Sequence, residues 1–154
     1  LYGLETVGLR YFNVFGPRQD PKSEYAAVIP RFIDALLKGK SPVIFGDGTQ
    51  SRDFTYVDDV VQANLLSQQA AGAAGEVFNI AGGNRTTLNK LLDVLMNITG
   101  SRVDATYSEA RPGDVNHSMA GIEKASHFLG YFPKTGLEEG LKLTVEWFAR
   151  KKVF

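Results

Sequence analysis

Cysteine is absent from these 154 residues. Disulfides, thiol nucleophiles and cysteine metal sites are thereby excluded. A cysteine-free chain also suits the reducing cytoplasm, the compartment we expect. Histidine occurs only as His117 and His127, which share no helix face at that separation, so no metal centre is expected. Basic and acidic side chains number 17 each and the formal net charge is zero. That argues against a broad cationic face for nucleic acid. It still allows a small dianion to be held by two or three arginines. No apolar run reaches the ~18–20 residues of a membrane span, so no membrane partner is expected. The chain does not open with Met. Leu1-Tyr2-Gly3-Leu4 leads within a few residues into strand-like sequence. Natural domains seldom start so close to a buried strand, and we expect a piece of a longer protein.

What is present is ordinary for a globular protein, with 44% hydrophobic and 22% charged residues. One domain over 1–154 with one moderate core is expected. Val7 to Phe12 read as a buried strand of the parallel-sheet type, ended by Gly16-Pro17. A loop to about Tyr25 leads to a helix with Pro30 near its first turn, an apolar face of Phe32, Ile33, Leu36 and Leu37, and a stop at Gly39. Pro42 to Phe45 form a short strand closed by the Gly46-Asp47-Gly48 turn. Phe54 to Val57 form another. Asp58 or Asp59 is expected to cap a helix to about Ala70 with Val60, Val61 and Leu65 inward. Ala70 to Gly75 is a connector, and Val77 to Ile80 a strand ended by Gly82-Gly83. Thr87 caps a helix with Leu88, Leu91, Leu92, Leu95 and Ile98 inward, stopped by Gly100. Val103 to Tyr107 suit a strand. Thr135 and Glu138 have capping-box spacing. They start a last helix carrying Leu137, Leu141, Val145 and Phe148, with Lys151 and Lys152 near its C-terminal end. The result is a mixed α/β chain with several helices and short, scattered strands. Only the first strand resembles the centre of a doubly wound sheet.

Several chemistries find no support. Gly46-x-Gly48 lacks the third glycine of a dinucleotide fingerprint, since Ser51 stands there. The residues beyond Ser51 are strand-like, so no helix N-terminus is offered to a pyrophosphate. A tyrosine made acidic by a lysine four residues later is a common proton-transfer pair. Here the residues four beyond the six tyrosines are Thr6, Phe15, Ile29, Val60, Arg111 and Thr135. No Gly-x-Ser-x-Gly elbow occurs. We therefore expect no catalytic residue in this chain.

The arginines are more informative. Arg52 follows a turn and stands beside Asp53. It reads either as a salt-bridge partner or as a diphosphate ligand, because a guanidinium grips two phosphate oxygens at once. Arg111-Pro112-Gly113-Asp114 holds a second arginine in a constrained turn, with an aspartate able to accept from ribose hydroxyls. The plainer reading is a polar surface turn. Asn13 ends the first strand, where open α/β sheets bind ligands. Phe12 beside it suits either a flat ring or core packing.

Leu9-Arg10-Tyr11-Phe12-Asn13-Val14-Phe15-Gly16-Pro17-Arg18, then Gly46 to Asp59, then Arg111-Pro112-Gly113-Asp114-Val115, resemble in that order the nucleotide-sugar-binding half of the extended short-chain dehydrogenase/reductase (NAD-dependent epimerase/dehydratase) family. The resemblance is strongest to UDP-N-acetylglucosamine 4-epimerases and runs from Thr6 to the last helix. It implies the C-terminal substrate-binding portion of an extended Rossmann-type enzyme, with residues 1–20 including a strand of a sheet whose other strands lie in an N-terminal half. It implies that Phe12 touches the nicotinamide side of NAD and that Asn13 binds the diphosphate. Ala27, Val28 and Pro30 would border the uridine, and Val43, Ile44 and Phe45 would run along the uracil. Arg52 and Arg111 would clamp the diphosphate, and Asp114 would meet the ribose. Ser118 would line the sugar pocket, its small volume leaving room for an N-acetyl group; it reads otherwise as a loop serine.

The implied reaction is C4 oxidation by NAD, rotation of the ketosugar and re-reduction. The implied parent is a homodimer that binds a UDP-sugar. This chain alone is expected to be inactive and not to bind NAD. Sister activities share the clamp: nucleotide-sugar dehydratase, uronate decarboxylase and UDP-N-acetylglucosaminuronate epimerase. Two other classes stay open. A non-catalytic nucleotide-sugar-binding module would protect its first strand. A purely structural domain would not bring Arg52 and Arg111 to one cavity.

Overall fold

The computed structural model of the chain describes residues 3–22 and 27–151. Its first strand, β1 (Gly8–Tyr11), pairs in parallel with β6 (Val77–Ile80), Gly8 opposite Val77 and Tyr11 opposite Ile80. The parallel pairing is as expected, but the burial is not. Leu9 packs on the core, while Gly8, Arg10 and Tyr11 are exposed. Among the described residues β6 is the one strand beside β1, so most of its surface has nothing to pack against. The strand also ends earlier than Gly16-Pro17 would have it. Asn13 takes φ 36°, which breaks the extended chain. The chain resumes as β2 (Val14–Phe15), parallel to β5 (Thr55–Tyr56).

Helix α1 (Val28–Leu37) buries Phe32, Ile33 and Leu36 along one face. Pro30 is its third residue, where the missing N–H would have had no partner in any case. Gly39 at φ 64° ends it, and the Lys40 N–H donates back to the Ala35 carbonyl at 2.9 Å. The expected start near Tyr25 lies outside the described residues. Strand β3 (Val43–Phe45) runs parallel to β8 (Thr106–Ser108), which overlaps the strand expected over Val103 to Tyr107 only at Thr106 and Tyr107. Gly46 and Gly48 both take positive φ in the turn after β3. The Asp47 carboxylate closes that turn by accepting from the Thr49 N–H at 2.9 Å. Strand β4 (Ser51–Asp53) pairs antiparallel with β7 (Arg85–Thr87).

Helix α2 (Val57–Gln69) departs from expectation twice. Neither Asp58 nor Asp59 is its cap; Tyr56 precedes its first residue and offers no side-chain hydrogen bond. Asp59 instead turns inward, 3% exposed. It accepts from the Lys134 and Thr135 N–H groups at 2.8 and 3.2 Å, tying α2 to the segment before the last helix. Val60 is buried, but Val61 and Leu65 are 51% and 55% exposed. The inward face runs through Asp59, Val60 and Ala63, and a buried carboxylate takes a place that apolar periodicity assigns to a hydrophobe.

Helix α3 (Leu88–Thr99) matches its sequence signals. The Thr87 hydroxyl accepts from the Lys90 N–H, Leu91, Leu92 and Leu95 are buried, and Gly100 at φ 71° ends it. Helix α4 (Glu123–Leu129) has no counterpart among the expected elements. Helix α5 (Leu137–Lys151) buries Leu141, Val145 and Phe148. Its expected start is displaced by one residue, and glycine at the N-cap offers no side chain for a capping box. The Gly136 carbonyl accepts the first helical bond, from Gly140 at 3.0 Å, so Gly136 and not Thr135 is the N-cap. The Lys151 side chain and Lys152 lie outside the described residues. The core has two parts. One joins α1, α3 and α5 around Phe15, Phe32, Ile44 and Leu95. The other packs β6, α2 and α4 around Phe78, Ile80 and Tyr131.

Candidate functional site

Residues Val28, Arg31, Phe32 and Ala35 recur at intervals of three and four, so one face of α1 supplies one wall of a cavity. Strand alternation turns Val43 and Phe45 toward the same space and Ile44 away, into the core at 0% exposure. The cavity measures about 840 Å³. Asn13, Arg52, Arg111 and Asp114 reach it from three other places in the sequence, and Ala27 closes the N-terminal end of α1. A second hollow of about 430 Å³ adjoins it and shares Phe45, Gln50, Arg111 and Asp114 with it.

The structure thus brings together eight of the residues expected at the site: Asn13, Ala27, Val28, Val43, Phe45, Arg52, Arg111 and Asp114. It does not bring Pro30, Ile44, Ser118 or Phe12 to the cavity wall. Pro30 and Ile44 are buried. Phe12 is held by its backbone, its N–H donating to the Ile80 carbonyl at 3.0 Å and its carbonyl accepting from the Thr55 hydroxyl at 2.6 Å. Ser118 belongs to a segment laid along β4. The Ser51 N–H donates to the Asn116 carbonyl at 2.8 Å, and the Ser118 N–H donates to the Ser51 carbonyl at 3.0 Å. Side chains reinforce that contact through Ser51 Oγ and His117 Nδ1, 2.9 Å apart.

Sequence reasoning missed Lys22, Arg31 and Gln50, which also line the cavity. The spacing of Arg31 from Val28 and Ala35 was a usable signal. Four cationic side chains, Lys22, Arg31, Arg52 and Arg111, face one carboxylate, Asp114. A chain of zero net charge therefore concentrates positive charge at this place, which favours an anionic ligand.

Both arginines have defined positions. Arg52 Nη2 meets Asp114 Oδ1 at 2.5 Å, and Nη1 donates to the Ser51 carbonyl at 2.9 Å. The salt-bridge reading of Arg52 is thus met, with Asp114 and not Asp53 as partner. The Arg111 guanidinium lies 4.0 Å above the Phe45 ring centroid. The Asn13 Nδ2 donates to the Asp53 carbonyl at 2.9 Å, which fixes the amide at the end of β1. Asp53 itself is 0% exposed. Burial pushes its carboxyl above the usual carboxylate range, while the backbone amides of Ala120, Asn84, Gly82 and Gly83 pull the other way.

The chain can therefore offer guanidinium groups, an amide and a carboxylate to one anionic ligand beside an apolar slot. Cofactor chemistry is another matter. The Gly46-Asp47-Gly48 turn opens onto β4 and not onto a helix, so no helix N-terminus receives a pyrophosphate there. Among the described residues no helix is long and apolar enough to cross a membrane.

Known proteins resemble this chain in sequence and fold. A putative UDP-glucose 4-epimerase of Methanocaldococcus jannaschii is 48% identical over 147 residues, covering 96% of this chain and 47% of the relative. The crystal structure of a Thermotoga maritima UDP-glucose 4-epimerase with UDP-glucose superimposes with a TM-score of 0.93 at 50% identity, covering 99% of this chain and 48% of that one. A Methanobrevibacter ruminantium UDP-N-acetylglucosamine 4-epimerase in complex with UDP-N-acetylmuramic acid gives 0.92 at 48% identity, covering 97% and 48%. Relatives at lower identity include UDP-glucuronate 4-epimerases, one solved with NAD, and a UDP-N-acetyl-alpha-D-glucosaminuronate decarboxylase. The chain spans about half the length of the relatives it matches. The model of the NAD dependent epimerase/dehydratase family matches residues 1–81. With its fold, its cationic cavity and these likenesses, the chain belongs to the NAD dependent epimerase/dehydratase family.

Proposed function

We propose that this chain is the substrate-gripping portion of an NAD-dependent UDP-N-acetylhexosamine 4-epimerase. The observation that carries the reading is the meeting of Asn13, Arg52, Arg111 and Asp114 in one cavity beside the slot between α1 and β3. A planar base fits between Ala27 and Val28 on one side and Val43 and Phe45 on the other. Pro30 and Ile44 back these walls from the core. Arg52 and Arg111 hold the diphosphate, Asn13 donates to it, and Asp114 accepts from the ribose. The preference for an N-acetylated sugar rests on the small volume of Ser118.

NAD, when bound in the whole enzyme, accepts and returns the hydride at C4 of the sugar. On this reading Phe12 is the residue of this chain that touches the nicotinamide side of NAD. What this chain contributes is orientation. Fixing both phosphates leaves the sugar free to turn about its remaining bonds, as presenting either face requires. The cofactor loop and the proton-transferring tyrosine and lysine belong, on this reading, to an N-terminal half that covers β1. The whole enzyme is a cytoplasmic homodimer.

Isothermal calorimetry with UDP-N-acetylglucosamine tests the reading on this chain. Saturable binding is expected, lost in the Arg52→Ala, Arg111→Ala double variant. Binding that survives both substitutions would place the ligand elsewhere.

A further inference from the structure

Asp53 does not line the cavity, yet one residue of the cavity wall and two neighbouring loops are tied to it. Its backbone carbonyl accepts from Asn13 Nδ2 at 2.9 Å. Its Oδ2 accepts from the Gly83 N–H at 3.2 Å and the Ala120 N–H at 3.4 Å. Its Oδ1 is buried without a hydrogen-bond partner. A Cβ on Gly82 would lie 2.5 Å from the Phe54 carbonyl and 3.2 Å from that oxygen, so the close approach of this turn to the Phe54 backbone requires glycine.

The chemistry asks for a carboxylate. The hydrogen bonds that reach the side chain come from backbone N–H groups, and an ionised carboxylate is acceptor-only. An asparagine could accept both bonds through its one oxygen, but its NH₂ would then lie buried and unpaired at the position of Oδ1. An apolar side chain would leave two amides unpaired, which costs more than their bonds return. A buried charge held by neutral amides alone is costly, and such an arrangement persists where it fixes something. Here it fixes the turn after β6 and the segment two residues beyond Ser118. On the same residue's other side, Arg52 enters the cavity. Asn13 sits at φ 36°, in the left-handed region that asparagine tolerates better than most residues.

We propose that Asp53 is a positioning residue for the nucleotide-sugar site: its carbonyl aims the Asn13 amide, and its carboxylate locks the 82–84 turn and the Ser118–Ala120 segment in register with Arg52. This rests on the reading of the cavity as a UDP-sugar site. Asp53 touches no ligand; it acts through Asn13 and Ser118.

Two measurements test it. The first needs no ligand and no variant. Amide hydrogen exchange by NMR is expected to show the Gly83 and Ala120 N–H groups at least tenfold slower than the exposed loop amides of Gly72 and Gly113. Equal rates would overturn the proposal. The second uses UDP-N-acetylglucosamine as probe, with circular dichroism to establish folding. Asp53→Ala removes the acceptor of the Gly83 and Ala120 N–H groups and is expected to weaken binding about tenfold, while Asp53→Asn, whose oxygen can still accept both, is expected to lose less than about threefold. Unchanged binding by Asp53→Ala would overturn the route through the Ser118–Ala120 segment, and wild-type binding by Asn13→Ala would overturn the route through Asn13. A wild-type chain that binds no nucleotide-sugar while Gly83 and Ala120 stay protected would overturn the proposed function and leave the locked geometry standing.

Discussion

Arg52 and Asp114 are bonded to each other in the cavity wall at 2.5 Å, although 62 positions of sequence separate them. Their side chains are 16% and 44% exposed. A pair this open to solvent contributes ~0–1 kcal/mol to stability. Its value is geometric, since each partner holds the other at the rim of the space both would share with a ligand. Asp114→Asn is therefore expected to leave the thermal midpoint within a few degrees. It should weaken UDP-sugar binding about tenfold, the size of a charge-assisted hydrogen bond. Differential scanning calorimetry beside calorimetric titration separates the two effects.

Arg111 owes its place to Phe45. The flat guanidinium stacks on the ring, and a lysine ammonium has neither the plane nor the fork to replace it. Arg111→Lys keeps the charge and should still lose about tenfold in affinity, or ~1.4 kcal/mol. A lysine variant that bound as well as wild type would reduce Arg111 to a point charge.

Gly140 sits inside α5, where replacement by alanine ordinarily gains up to ~1 kcal/mol. Here an added Cβ would lie 2.8 Å from Tyr56 Cδ2 and 2.9 Å from Phe15 Cζ. Both rings are buried, so the overpacking cost of ~1–3 kcal/mol outweighs the helix gain. Gly140→Ala is expected to be net destabilising in urea unfolding. A stabilised variant would mean that the helix can back away from these rings.

Asp53 gives stability a pH dependence of defined sign. Its folded carboxyl titrates above its unfolded value of 3.8 because burial penalises the charge. The unfolded state therefore releases the proton first. This group's favourable contribution is complete below 3.8 and is lost as pH rises through the folded value. Over that acidic window, wild-type stability should fall relative to Asp53→Asn. Urea midpoints for both proteins across the window would show parallel curves if the carboxyl were unperturbed.

Helix α3 is fully legible in the sequence, because Thr87, the leucine spacing and Gly100 each announce a local event. Where sequence and structure part, the deciding partner is far away. Val61 and Leu65 look inward by periodicity, but α2 turns Asp59 to the backbone of Lys134 and Thr135 instead. Strand β7 carries Arg85-Thr86-Thr87 without apolar alternation and exists because β4 pairs with it. The clamp is legible from motif order through the family likeness. No local pattern announces that Arg52 meets Asp114, or that Asp53 gathers Asn13, Gly83 and Ala120.

The strand pairings also bear on how fast the chain reaches its structure. Gly8 meets Val77, Val14 meets Thr55, Ser51 meets Thr87 and Val43 meets Thr106. No strand pair among the described residues is a hairpin, so each must close a long loop before any of its hydrogen bonds offsets the lost chain entropy. Helices α1, α3 and α5 can each form locally, but the contacts among them and the strand pairs both wait on long loops. Refolding is therefore expected to be slow for a chain of this size, with the β1–β6 and β3–β8 pairs among its late events.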